Sequence, residues 1–219
     1  MVRDEDQWPR YGLLLTAVVV AVAVQGSVAP GAVQQIVVTA LLGISLVLAF
    51  RIARASRPVL TLAYVLATAA LAVAVLRALT DAIGDGEARV MNAIVVASVP
   101  PAVIVGVVRN LRVSQAVTVQ AVMGVLALYM LMGMLFAFVF GAIDRLGGDP
   151  FFADGTPASV ATCLYYSFTT LATVGYGDLT ARTDLGHTLS ILEALLGQIY
   201  LVTVVSLIVS NLGRPARRA

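Results

Sequence analysis

The chain has 219 residues, 60% of them hydrophobic and only 12% charged, with a mean hydropathy of +0.95. A soluble domain carries about 25% charged residues, and so little polar surface cannot coat this much apolar mass in water, which excludes a soluble enzyme. All 14 basic residues are arginine, Cys163 is the single cysteine and the net charge is +2; these exclude an intrachain disulfide, a multi-cysteine metal site and lysine Schiff-base chemistry.

The apolar residues come in runs, and a helix crossing a bilayer needs about 20 of them. Six spans are predicted: Tyr11 to Ala29, Gly31 to Phe50, Val59 to Thr80, Val90 to Val108, Val117 to Ile143 and Thr188 to Asn211. The first is read as a retained helix rather than a signal peptide, because Asp4, Glu5 and Asp6 spoil the cationic leader such a peptide needs. Trp8 and Tyr11 are its predicted interface anchors. Arg51, Arg54 and Arg57 follow span two, Arg109 and Arg112 follow span four, and Arg214, Arg217 and Arg218 lie in the tail. These loops alternate onto one side, and the acids (Asp81, Asp85, Glu87, Asp144, Asp149, Asp154, Asp178, Asp184) lie on the other. The positive-inside rule then puts both termini in the cytoplasm of a multi-pass protein of the cell membrane. Arg77 is expected to snorkel to the outer interface.

The stretch between spans five and six breaks the pattern. Thr156-Pro157 reads as a helix start, a hydroxyl cap followed by proline at the first helical position. The helix 158–171 would be about 21 Å long at 1.5 Å per residue, too short to span. It fits a re-entrant helix that returns as non-helical backbone, which at membrane depth must face protein or a wet cavity. Thr173-Val174-Gly175-Tyr176-Gly177-Asp178 forms that return.

This segment resembles the selectivity filter of potassium channels. Its flanks are similar too: Tyr165-Tyr166 stand where the family carries paired aromatics, Thr169-Thr170 close the short helix, and Asp178 follows. The resemblance covers roughly residues 120–210 and implies a pore unit, 113–219, after a four-span membrane unit, 1–112. In the pore unit it implies an outer helix 117–143, a pore helix 158–171, a filter 173–178 and an inner helix 188–211. The implied fold is an all-α membrane protein with six transmembrane helices and a re-entrant pore helix. The implied function is passive conduction of K+ without catalysis, cofactor or nucleic acid, by a chain whose partners are lipid and its own copies. Carbonyl oxygens of Thr173, Val174, Gly175 and Tyr176, with the Thr173 hydroxyl, would replace the water that K+ sheds. Gly175 and Gly177 allow the positive φ that turning successive carbonyls to one side demands, and Tyr176 would brace against Tyr165 or Tyr166. The helix before the filter would aim its partly negative C-terminal end at the ion. One filter copy per chain requires four chains around an axis.

On the last span, Gly197 falls where the family's inner helix bends, though close packing through a small residue explains it equally. Gln198, Leu201, Val205 and Val209 recur at helical spacing and would line the pore, with Leu201 and Val205 able to close it by dewetting. Glu193 is the one acid well inside a span, a functional candidate by default. Its expected partners are Ser167, Thr169 or Thr170, in a structural or a gating role. Span four carries no arginine between Arg89 and Arg109 and contains Pro100-Pro101, so weak voltage dependence is expected. Only eight residues follow Asn211, so no ligand-binding domain is expected there. Three alternatives stay open: a non-selective cation channel, a potassium transporter and an accessory membrane subunit.

Overall fold

The computed structural model describes residues 10–27, 31–80, 90–102 and 119–211. These hold seven helices: α1 Arg10–Ser27, α2 Ala32–Ile52, α3 Arg57–Thr80, α4 Val90–Ala102, α5 Val119–Leu146, α6 Val160–Leu171 and α7 Asp184–Asn211. Among the described residues there is no strand, only an isolated antiparallel bridge between Phe152 and Ala181. Among the described residues, four stretches are long and apolar enough to cross a membrane: Ala32–Ile52, Arg57–Thr80, Val122–Leu146 and Asp184–Thr203. Tyr11–Ser27 and Val90–Ala102 are shorter apolar helices. The predicted fourth span continues to Val108, and its last residues lie outside the described ones, as do Trp8, Arg109 and Arg112.

Each helix contributes one packed stripe. Tyr11, Leu14, Val18, Ala21 and Gln25 are buried along α1 at spacings of three and four, which is one face of a helix. That face meets α2, α5 and α6. Tyr11 is therefore a core residue of the bundle, not the interface anchor its position suggested. Between α2 and α3 the contact runs through small residues: a Cβ on Gly43 would lie 3.2 Å from the Ala67 Cβ, and Ala63, Ala70 and Ala74 are buried on α3. Without water to expel between helices, close backbone approach through small side chains is what holds them. The turn between them closes as the Ala55 amide returns to the Phe50 carbonyl (3.1 Å) and Arg54 takes φ 51°. Arg77, near the end of α3, donates to Gln35 on α2.

The loop from α5 to α6 is pinned at both ends. Asp144 accepts the Phe151 amide (2.9 Å), and Phe140, Phe151, Phe152 and Tyr166 form an aromatic cluster with centroids 4.9–5.9 Å apart. The Ala153 amide donates to Thr180 O (2.9 Å) and the Arg182 amide to Phe151 O (2.8 Å), which fastens this loop to the segment before α7. The hairpin around α6 is thus closed at its base by backbone bonds.

The boundaries around the loop of α6 differ from expectation. α6 begins at Val160, with Ser159 as its cap, rather than at Ala158 after Thr156. The Thr156 hydroxyl and amide are already committed to the Asp154 carboxylate at 2.6 and 2.9 Å, while Ser159 Oγ accepts the Thr162 amide at 3.1 Å. α7 begins a turn earlier than Thr188, at Asp184, where Thr183 Oγ1 accepts the Gly186 amide (3.1 Å). α5 continues to Leu146 rather than ending at Ile143, and its expected start at Val117 lies outside the described residues.

Candidate functional site: the loop after α6

α6 is twelve residues long and buries Cys163, Leu164, Tyr166, Ser167 and Leu171. It stops because the chain reverses onto its own last carbonyls. The Ala172 amide donates to Phe168 O (3.0 Å), Thr173 to Thr170 O (2.9 Å), Val174 to Thr169 O (2.8 Å) and Gly175 to Thr169 O (3.2 Å). The Val174–Thr169 bond is the long-range bond of a Schellman closure, whose left-handed position usually falls to glycine. Here Thr173 occupies it at φ 55°. A β-branched residue in that region costs about 1–2 kcal/mol, strain of the sort that collects at functional sites. Sequence reasoning placed positive φ only at the two glycines. Gly175 has φ 53° and Gly177 φ 80°, so left-handed torsions fall at 173, 175 and 177 and are absent at Val174 and Tyr176.

Such alternation swings every second peptide over, so that neighbouring carbonyls need not oppose one another as they do in a strand. The intervening Val174 and Tyr176 are 52% and 70% exposed in the single chain. The Tyr176 ring stacks on Tyr165, centroids 6.3 Å apart and planes at 5°. Tyr165 in turn donates its hydroxyl to Asp178 (2.7 Å). Tyr166 points elsewhere, into the aromatic cluster, with its hydroxyl 2.7 Å from Ser190 Oγ on α7. Thr169 uses its carbonyl for the closure and its hydroxyl for Tyr166 O (2.9 Å). Thr170 contributes its carbonyl, which accepts the Thr173 amide.

Behind the loop, α5, α6 and α7 are laced together. Ser167 donates to Gly133 O on α5 (2.7 Å) and hydrogen-bonds Glu193 on α7, which is fully buried. Thr169 and Thr170, the other expected partners, do not reach Glu193 in any recorded hydrogen bond. Tyr200 donates to Val125 O and stacks on Tyr129 at 5.8 Å. α7 is unbroken through Gly197, where an added Cβ would lie 2.2 Å from the Leu171 carbonyl oxygen. The absent side chain lets α7 touch the end of α6. One residue on, Gln198 Nε2 donates to Thr173 Oγ1 (2.8 Å). Leu201 is exposed on α7, and the side chains of Val205 and Val209 lie outside the described residues.

α7 is lopsided in the single chain. Gly186, Glu193 and Gly197 are buried, whereas Ile191, Leu192, Leu195, Leu196, Ile199 and Val202 are 46–64% exposed. A contiguous apolar surface of this kind marks a lipid or protein contact. In the loop before α6, Asp154 is held below the usual carboxylate range by the Thr156 hydroxyl and amide.

Residues 124–214 match a family model described as an ion channel. A 105-residue stretch is 35% identical to an inward rectifier potassium channel, Kirbac3.1, from Paramagnetospirillum magnetotacticum. That match spans 48% of this chain and 33% of the relative, so the chain covers about a third of that protein's length. No solved structure matches. With its span-length apolar helices the chain is a multi-pass membrane protein, and over residues 124–214 it is similar to ion channels, a class of proteins that are not enzymes.

Proposed function

We propose that four copies of this chain form a K+-selective pore in the cell membrane, with α6 as a re-entrant pore helix, Thr173–Gly177 as the filter and α7 as the lining helix. The observation that carries the reading is the alternation of left-handed torsions at Thr173, Gly175 and Gly177 directly after a short, capped helix. In this reading the carbonyls of each loop turn to one side, and four loops around an axis make rings that replace the hydration shell of K+. The exposed apolar face of α7 supports association, since each copy leaves most of that helix uncovered. In this assembly Tyr165, Tyr166, Asp178, Thr169, Thr170 and Glu193 hold the filter from behind. Gln198 places an amide beneath Thr173, and Leu201, Val205 and Val209 face the conduction path. Gly197 serves first as a contact between helices. The arginine-rich loops and both termini face the cytoplasm.

The name of the similar channel agrees with potassium as the permeant ion. The test is the reversal potential of the purified protein in planar bilayers under a K+/Na+ gradient, with barium as blocker. A potential close to that of K+ and block by barium are expected. Equal permeation of Na+ would make it a non-selective cation channel, and a silent bilayer would make it an accessory subunit.

A further inference from the structure

The backbone of Thr173 is fixed by the loop, but its side chain is not. Its amide donates to Thr170 O (2.9 Å), the next amide closes onto Thr169 O (2.8 Å), and φ is held at 55°. None of these bonds sets the rotamer that carries the hydroxyl. Threonines within the helices settle theirs locally: the hydroxyls of Thr68, Thr169 and Thr188 donate back to carbonyls of the preceding turn at 2.8, 2.9 and 2.8 Å. Thr173 lies past the end of α6, and its Oγ1 instead accepts from Gln198 Nε2 on α7 (2.8 Å).

α7 is a firm base for that bond. Gly197, one residue earlier, seats the helix against the Leu171 carbonyl at the end of α6. Gln198 therefore cannot draw away from Thr173 without opening that contact. Thr173 and Gln198 are both exposed in the single chain, so the pair faces the space outside it. A hydroxyl has one proton and two lone pairs. The Gln198 amide takes one lone pair and leaves the other available. Rotating χ1 of Thr173 by one staggered step would break the bond and put the methyl group or the hydrogen where the oxygen stands. The bond thus favours the rotamer in which oxygen, and not methyl, stands at the α7 end of the loop.

We infer that Gln198 is a positioning residue for ion conduction: its side-chain amide holds the Thr173 hydroxyl in the rotamer whose remaining lone pair meets the permeant cation. The inference rests on the reading of Thr173–Gly177 as a filter and adds to it the group that orients its first oxygen. A cation arriving from the α7 side meets the Thr173 hydroxyls first, so a blocking cation from that side reports on them.

The experiment measures block of K+ current by barium, added to each side of a planar bilayer in turn, for the full chain and for Gln198→Leu, Thr173→Val, Thr173→Ser and the double variants. Gln198→Leu should weaken block from the α7 side about fivefold, the worth of one hydrogen bond. Thr173→Val should weaken it at least as much, and Gln198→Leu should add nothing on that background, because no hydroxyl remains to orient. On the Thr173→Ser background, which keeps the hydroxyl, Gln198→Leu should still weaken block. Such non-additivity separates an effect through the hydroxyl from a general change in the pore. The rise in thermal midpoint with barium in detergent repeats the comparison for any variant that does not conduct. Unchanged block by Gln198→Leu, or an equal loss on the Thr173→Val background, would overturn the inference while leaving the filter reading intact. A parent chain neither blocked nor stabilised by barium would overturn the filter reading and the inference with it.

Discussion

Gly197→Ala is the sharpest perturbation of the packing behind the filter. The new Cβ would stand 2.2 Å from the Leu171 carbonyl oxygen, 2.9 Å from its Cδ1 and 3.1 Å from its carbonyl carbon. Real Cβ contacts do not fall below 3.0 Å, so α7 and the end of α6 must separate by about 0.8 Å in an interior that has little slack. Overpacking of this kind costs about 1–3 kcal/mol. The same substitution removes a glycine from a helix interior, which is worth about 1 kcal/mol in the opposite direction. A net loss of up to about 2 kcal/mol per chain is expected, concentrated at the carbonyls that anchor the loop. Leu171→Ala would relieve the Cδ1 contact but not the backbone one, so the double variant should not be rescued. Thermal unfolding in detergent and K+ flux from liposomes measure the two consequences, a lowered midpoint and reduced flux. A variant as stable and as conductive as the parent, or one fully rescued by Leu171→Ala, would refute the contact argument.

The remaining expectations concern the hairpin and its supports. Ser159→Ala should destabilise by about 1 kcal/mol through loss of the cap on α6, whereas Thr156→Ala should leave the start of α6 unchanged; thermal midpoints of the two distinguish which hydroxyl caps the helix. Glu193→Leu should cost about 1 kcal/mol or less by thermal unfolding, the worth of one hydrogen bond, since Ser167 keeps its bond to Gly133 O and the change also removes the buried, unpartnered Glu193 Oε2; Glu193→Gln, which still offers Ser167 a partner, should cost less. Asp154 titrates below the usual carboxylate range because of Thr156. Its contribution to loop stability is therefore full above that range and is lost as pH falls through its lowered value. Thr156→Val should move the titration upward, seen as a shifted carboxyl midpoint by NMR, and an unshifted midpoint would contradict the assignment.

Glycine was the most legible part of the loop, since Gly175 and Gly177 are the residues that take left-handed torsions without strain. Thr173 was not legible for the same reason: a β-branched residue is the last expected there, and only the closure onto Thr169 reveals why it is forced. The start of α6 was misplaced because Thr156 and Ser159 are both good caps, and a carboxylate two residues upstream decides between them. The first turn of α7 looked like loop because of Asp184 and Gly186. A Cβ on Gly186 would lie 2.7 Å from the Ala181 Cβ, so the glycine marks a close contact and not a break. The early helices carried no readable motif, because small residues such as Gly43 and Ala67 meet without polar signals. The buried position of Tyr11 was hidden by its place at a helix end.

The central claim is that peptide oxygens from Thr173 to Tyr176 of four chains face a common axis and hold K+. Single-particle imaging of the assembled protein in K+ tests it most directly. Four-fold particles with the four loops converging on axial ion density are predicted. A different stoichiometry, or loops held apart with an empty axis, would contradict it.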